Sequence, residues 1–323
     1  MEEFKPRIDL VDIKKATESV KTEIGKYLIG QNAAVEWLLI ALLADGHVLL
    51  EGVPGVAKTL MAKLLSETVQ AKFKRIQFTP DLMPGDITGN QIFNAQISKF
   101  EFREGPLFAN IVLADEINRA PAKTQSALFE AMEERQITVD GTTHPLGIPF
   151  MVLATQNPVE QEGTYRLPEA QLDRFLLKIP IGYPDLTEEH EILKSAHERK
   201  NKVDLKTIAK VLTTSHIAIL REIVQEVRIE ENLLHFIAKI VHETRKFPSI
   251  QLGASPRASL AILNASKASA ALQGRDFVAP EDIHKVAPPV LVHRIVLTPE
   301  KEMEGVSVED TIQQILEKIE IPR

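Results

Sequence analysis

The chain has 323 residues, a formal net charge of −7, 44% hydrophobic and 26% charged residues, which argues for two domains or one large one of ordinary soluble composition. It holds no cysteine, which excludes disulfides, thiolate metal sites and cysteine nucleophiles and fits a reducing compartment. The acidic balance argues against a constitutive nucleic-acid binder, whose footprint is basic. The opening MEEFKPRIDL lacks the apolar centre of a signal peptide, and the longest apolar run, within residues 35–44, is too short to cross a bilayer. The expected compartment is therefore the cytoplasm, without membrane insertion.

Leu10, Ile13, Val20, Ile24 and Tyr27 recur at helical steps and predict a first helix ended by Gly30, followed by a second over about 32–44. HVLLEG reads as a buried strand feeding a glycine loop, and Leu60–Val69 as the helix after it. Phe73–Phe78 is a second predicted strand, and two alternating segments near 87–93 and 98–103 predict an inserted hairpin. IVLAD (111–115) has the continuous apolar character of a parallel strand buried on both faces. Pro121–Glu134 reads as a helix, with Pro121 at its opening. Asp140-Gly141 predicts a turn between strands at 136–139 and 142–146. PFMVLATQ (149–156) and Phe175–Ile181 complete the strands, with a short helix ending over Ala170–Arg174. Alternating strands and helices imply an α/β core with a parallel sheet. After Tyr183-Pro184-Asp185 helical periodicity dominates, with helix openings at Ser255-Pro256 and Pro280-Glu281-Asp282, and Ser307 with Asp310 resembling a capping box. The expected domains are residues 1–184, with the insertion at about 80–106, and an all-α unit over 185–323.

Chemistry concentrates at strand ends. GVPGVAKT (Gly52–Thr59) nearly matches G-x-x-x-x-G-K-[ST] and lies between a strand and a helix, where backbone N–H groups face phosphates. Lys58 would bond the β- and γ-phosphates and Thr59 would offer its hydroxyl to Mg2+. Ala57 stands where the pattern has glycine; the expectation is a negative φ there, with the residue already entering the helix and its methyl aimed away from the phosphates. IVLADEIN ends a strand in two acids at the edge where α/β sheets bind ligands. Asp115 would hold Mg2+ through water and Glu116 would act as base on the attacking water. Asn157, ending the next strand in LATQNP, would orient that water, or simply form an Asn-Pro turn. Arg257 falls in the first turn of a helix, against the helix dipole, which a γ-phosphate nearby would offset; the alternative is an exposed arginine whose stem covers apolar surface. Arg174 in QLDRF is placed to reach a neighbour's phosphates as an arginine finger, or forms a salt bridge within QLDRF. His197, His216, His235 and His242 read as surface or capping residues, and Lys72, Lys74 and Arg75 as a solvated basic face.

These pieces, in this order, resemble a MoxR-family AAA+ ATPase. The likeness rests on GVPGVAKT, ADEINRAPAKTQSALFEAMEERQITVDG, LATQNPVEQEGTYRLPEAQLDRF and GASPRA, and spans roughly residues 10–300. It implies a three-layer α/β nucleotide-binding core followed by a smaller helical lid, with ATP and Mg2+ as ligands. It assigns Walker A to Gly52, Val53, Pro54, Gly55, Val56, Ala57, Lys58 and Thr59 with Leu60 following, and Walker B to Asp115 and Glu116. Asn157 matches sensor 1, Arg174 the arginine finger and Arg257 the sensor-2 arginine. The insertion near 87–103 corresponds to the helix-2 insert of the clade that also holds magnesium-chelatase and MCM ATPases, and 136–146 to the pre-sensor-1 hairpin. The implied activity is ATP hydrolysis by a homo-oligomeric ring, a hexamer, acting as a chaperone on client proteins with a von Willebrand factor A domain partner. A nucleic-acid motor related to MCM ranks second, because the predicted pore hairpin ITVDGTTHPL carries His144 but no lysine or arginine. A magnesium-chelatase-like subunit is the other alternative.

Overall fold

The computed structural model describes residues 10–96, 98–157, 167–200 and 204–322. The opening nine residues, and residues 158–166 of the LATQNPVEQEGTYRLPEAQLDRF segment, lie outside the described set.

In chain order the first half runs α1 (Val11–Gly25), α2 (Asn32–Leu43), β1 (His47–Glu51), α3 (Lys58–Thr68), β2 (Phe73–Gln77), α4 (Pro84–Thr88), β3 (Gly89–Asn94), β4 (Lys99–Glu104), β5 (Ile111–Asp115), α5 (Ala122–Glu134), β6 (Gln136–Val139), β7 (Thr142–Pro145), β8 (Met151–Gln156), α6 (Glu169–Leu172) and β9 (Phe175–Pro180). The remainder is α7 (Leu186–Glu198), α8 (Thr214–Gln225), α9 (Glu231–Thr244), β10 (Ile250–Leu252), α10 (Pro256–Leu272), α11 (Pro280–Leu291), β11 (Val296–Leu297), α12 (Pro299–Met303) and α13 (Val308–Lys318).

Five strands form one parallel sheet in the order β2-β5-β8-β1-β9. The continuous apolar runs are needed because both faces are covered, and the pleat sends alternate residues to opposite faces. Val48, Leu50, Ile111, Leu113, Met151 and Leu153 join the core beneath α1, α2 and α3. Leu49, Val112, Ala114, Val152 and Ala154 pack on the other face with Leu128, Phe129 and Met132 of α5. This is the expected three-layer arrangement. The last residue of β1, β5 and β8 is the half-buried one in each strand, so all three chains leave the core at the same carboxyl edge.

Both hairpins form. β3 and β4 pair antiparallel, as do β6 and β7, the latter around Asp140 (φ 48°) and Gly141 (φ 80°), the positive-φ pair that a two-residue hairpin turn requires. His144 stacks on Phe102 at 4.1 Å, tying the second hairpin to the first. Several boundaries differ from expectation. α1 stops at Gly25 and Gly30 (φ 77°) serves the turn beyond it. Pro121 is the flanking residue before α5 and not its first helical residue. Among the described residues the later half is helical, as expected, with one short two-stranded antiparallel pair, β10 with β11, added to it. These strands are too short to give a readable alternation.

The helical unit is joined to the sheet by one continuous core running from α1 to α13. A polar cluster reinforces the junction. Asp173 accepts from Ser255 Oγ (2.8 Å) and Arg294 Nε (2.7 Å), and Arg294 also donates to the Phe175 carbonyl (2.7 Å). Two histidines are buried. His47 accepts from the Val152 N–H at Nδ1 (2.9 Å), so Nε2 carries the proton and donates to the Met132 carbonyl (3.1 Å). Burial, then the Arg135 charge, push its pKa down to about 3. His293 contacts the Phe175 carbonyl through Nε2 (2.9 Å), and burial, followed by the neighbouring Arg294 charge, holds it well below the usual histidine range.

Candidate nucleotide site

A cleft of about 430 Å3 opens at the carboxyl edge of the sheet, lined by Pro54, Gly55, Ala57, Lys58, Thr59 and Leu60 from the glycine loop and the start of α3, and by Arg75, Asp115, Glu116, Thr155 and Asn157 from the adjoining strand ends. Sheet order explains the convergence. β8 lies between β5 and β1, so the ends carrying Asp115, Asn157 and the loop are neighbours although they are far apart in sequence. Gly52 and Val53 sit at the base of the loop, and Val56 is buried in the core; none of these three lines the cleft.

The loop turns on Gly55 (φ 91°) and Ala57 (φ 60°). The negative φ expected for Ala57 is therefore incorrect. Left-handed residues alternating with others turn successive N–H groups into one concavity, the backbone arrangement that receives anions, and that demand overrides the preference of an L-residue. Ala57 takes the glycine conformation and immediately precedes α3, its carbonyl accepting the Met61 N–H at 2.9 Å. Its side chain packs against the core.

Lys58 Nζ donates to the Gly52 carbonyl at 2.6 Å, across the mouth of its own loop. Thr155 Oγ accepts the Glu116 N–H (2.9 Å) and donates to Asp115 Oδ1 (2.5 Å), locking the two acids into one frame. Glu116 is itself left-handed, φ 57° and ψ 49°, a conformation that costs an L-residue about 1–2 kcal/mol and aims its carboxylate out of the strand direction. Gln77 Nε2 donates to Glu116 Oε2 (2.7 Å), and Arg119 Nε lies 3.2 Å from the same oxygen. Arg75 Nη2 and Nε reach Asp115 Oδ2 at 2.6 and 3.1 Å. Thr155, Arg75, Gln77 and Arg119 were not singled out from sequence as site residues. The roles of Thr155, Arg75 and Gln77 arise from strand neighbours, whereas Arg119 meets Glu116 from three positions along the same turn.

The donor set suits a magnesium–nucleotide pair. One hydroxyl (Thr59), one carboxylate (Asp115) and one amine (Lys58) face the same cleft. Among the described residues no group of three or more acidic or histidine side chains makes a self-contained metal cage, and Mg2+ in phosphate sites takes one or two protein ligands with water and phosphate oxygens.

Arg174 and Arg257 are brought together, but not at this cleft. Glu133, in the last turn of α5, receives Arg257 Nη2 at 2.6 Å and lies 3.3 Å from Arg174 Nε. Neither arginine is among the cleft-lining residues. Arg174 thus forms an ion pair, though outside QLDRF, while Asp173 beside it is committed to Ser255 and Arg294. Ser255 caps α10 by accepting the Arg257 N–H, which fixes Arg257 in the first turn.

A phosphate-receptive loop, paired acids and a polar strand end on a parallel sheet, continued by a helical unit, define a P-loop nucleotide-binding protein with a lid. Residues 47–177 match the model of the ATPase family associated with various cellular activities (AAA), and residues 242–315 match an AAA lid domain. The chain is 50% identical over 299 residues to the YeaC protein of Bacillus subtilis strain 168, covering 93% of this chain and 92% of that one. It is 44% identical over 310 residues to the chaperone MoxR1 of Mycobacterium tuberculosis, covering 93% and 81%. A crystal structure of a Cytophaga hutchinsonii protein superposes with a TM-score of 0.90 at 43% identity, covering 97% of each chain. The chain belongs to the MoxR family of AAA+ ATPases. No described helix is long and apolar enough to cross a membrane.

Proposed function

We propose that this chain hydrolyses ATP to ADP and phosphate, and that it does so as a homo-oligomeric, six-membered ring that remodels client protein complexes in the cytoplasm. The observation that carries the hydrolytic reading is the convergence of Lys58, Thr59, Asp115, Glu116 and Asn157 on one cleft, because nucleotide binding alone requires neither a base nor a neutral amide.

Lys58 would exchange the Gly52 carbonyl for the β- and γ-phosphates while loop N–H groups take the remaining charge. Thr59 and Asp115 would hold Mg2+, which when bound neutralises charge on the phosphate oxygens. Glu116 takes a proton from water oriented by Asn157 as the water oxygen bonds to the γ-phosphorus and the bond to the β-phosphate oxygen breaks. Arg174 stands outside the cleft of its own chain, so as a finger it would serve the nucleotide of an adjacent copy, with Arg257 as the sensor-2 arginine. On this reading the nucleotide-binding core ends near residue 184 and the lid follows.

A protein client is favoured over nucleic acid by the surface of the inserted hairpin. Phe93 and Phe100 pair edge to face at 5.3 Å, and both are exposed. The second hairpin has no lysine or arginine in its strands, and its His144 is stacked on Phe102; the inserted hairpin carries Lys99 and Arg103 but sets Glu101 and Glu104 against them on the same strand, so neither has the excess of cations that phosphate neutralisation requires. The name of the MoxR1 relative, a chaperone, is consistent with this, and a von Willebrand factor A domain protein is the proposed partner. The test is complementation: Lys58→Ala and Arg174→Ala should each be inactive, and mixing them should restore ATP turnover. Absence of rescue would leave Arg174 a structural residue or one acting within its own subunit.

A further inference from the structure

Arg75 lies on β2, an edge strand of the sheet, and projects on the same face as Gln77, over the end of the neighbouring strand β5. Two of its nitrogens address one oxygen, Asp115 Oδ2, at 2.6 and 3.1 Å, and Nη2 also donates to Gln77 Oε1 at 2.8 Å. The other Asp115 oxygen is taken by Thr155. Both oxygens of the carboxylate assigned to the divalent cation are therefore occupied by protein donors, one by a full positive charge that lines the cleft.

We infer that Arg75 is a positioning residue that competes with the divalent cation for Asp115. The inference rests on reading this cleft as the magnesium–nucleotide site. A guanidinium and a hydrated dication compete for one carboxylate oxygen: its lone pairs are few, and like charges a few ångströms apart repel. Arg75 on Oδ2 therefore opposes loading of the metal, and its withdrawal favours it. Arg75 is on the solvent side, its side chain 47% exposed against 14% for Asp115, so the arginine is the partner free to leave. The contact keeps Asp115 charge-balanced when no metal is bound and sets the metal concentration at which that balance is exchanged.

The test uses the full chain with a fluorescent ATP analogue at saturating concentration, first in chelator and then titrated with MgCl2. Arg75→Met should lower the Mg2+ midpoint by roughly three- to ten-fold, the scale of losing a two-donor ion pair at a part-exposed site, and Arg75→Lys should fall between it and wild type. A midpoint unchanged or raised in Arg75→Met, with analogue binding intact, would overturn the inference and leave the nucleotide site standing. Should Arg75→Met fail to fold, Arg75→Lys alone decides by the same direction of shift. Failure of the wild-type chain to bind the analogue would overturn both readings.

Discussion

Replacing Ala57 by glycine probes the one loop position that departs from the phosphate-loop pattern. Ala57 sits at φ 60° and ψ 21°, a conformation that costs an L-residue about 1–2 kcal/mol and glycine essentially nothing. Glycine also frees the unfolded chain, which costs about 0.4–1 kcal/mol. It gives up a half-buried methyl packed on the core, less than the roughly 0.8 kcal/mol of a fully buried carbon. These terms nearly cancel, so Ala57→Gly should lie within about 1 kcal/mol of wild type. Ala57→Val keeps the left-handed requirement and adds crowding at Cβ, and should lose about 1–3 kcal/mol. Urea unfolding of the three proteins without nucleotide measures the difference. A glycine variant more than about 2 kcal/mol below wild type beside a neutral valine variant would refute the reasoning, because that is the pattern of a residue at negative φ.

Two further predictions concern the buried histidines. His47 should remain the neutral Nε2–H tautomer from pH 8 to pH 5 in NMR of imidazole-labelled protein, since burial and Arg135 depress its pKa from 6.5 to about 3; a midpoint near 6.5 would contradict its placement. The unfolded chain takes up a proton below about pH 6.5 that the folded chain refuses, so the stability is fully present above that pH and is lost as pH falls toward 3. The slope is about 1.4 kcal/mol per pH unit for each such histidine, with His293 adding in the same direction. His47→Gln should remove its share of the slope between pH 6 and 5, and an unchanged slope would show that His47 is protonated in the folded state.

The central strands were legible because parallel strands buried on both faces leave unbroken apolar runs: HVLLE, IVLAD and MVLATQ each appear as strands. The motif residues were legible because the loop, the acids and the amide each follow such a run. What sequence could not show depends on strand order. Arg75 read as part of a solvated basic face, but β2 lies beside β5, and its partner is Asp115, 40 positions away. Arg257 meets Glu133 across 124 positions, and His293 meets Phe175 across 118; no local periodicity encodes either pairing. The Ala57 conformation was misread for a related reason. Residue preference favours negative φ, whereas the geometry of the whole loop imposes the opposite.

The central claim is that Glu116 is the base of an ATP-hydrolysing site, and Glu116→Gln tests it most directly. The substitution keeps the shape and the hydrogen-bonding reach of the side chain while removing its basicity. ATP affinity and steady-state turnover should be measured on the same preparation. The account predicts binding close to that of wild type with turnover reduced by about 100-fold or more, the scale of a lost general base. Turnover within a few-fold of wild type in the variant would contradict it.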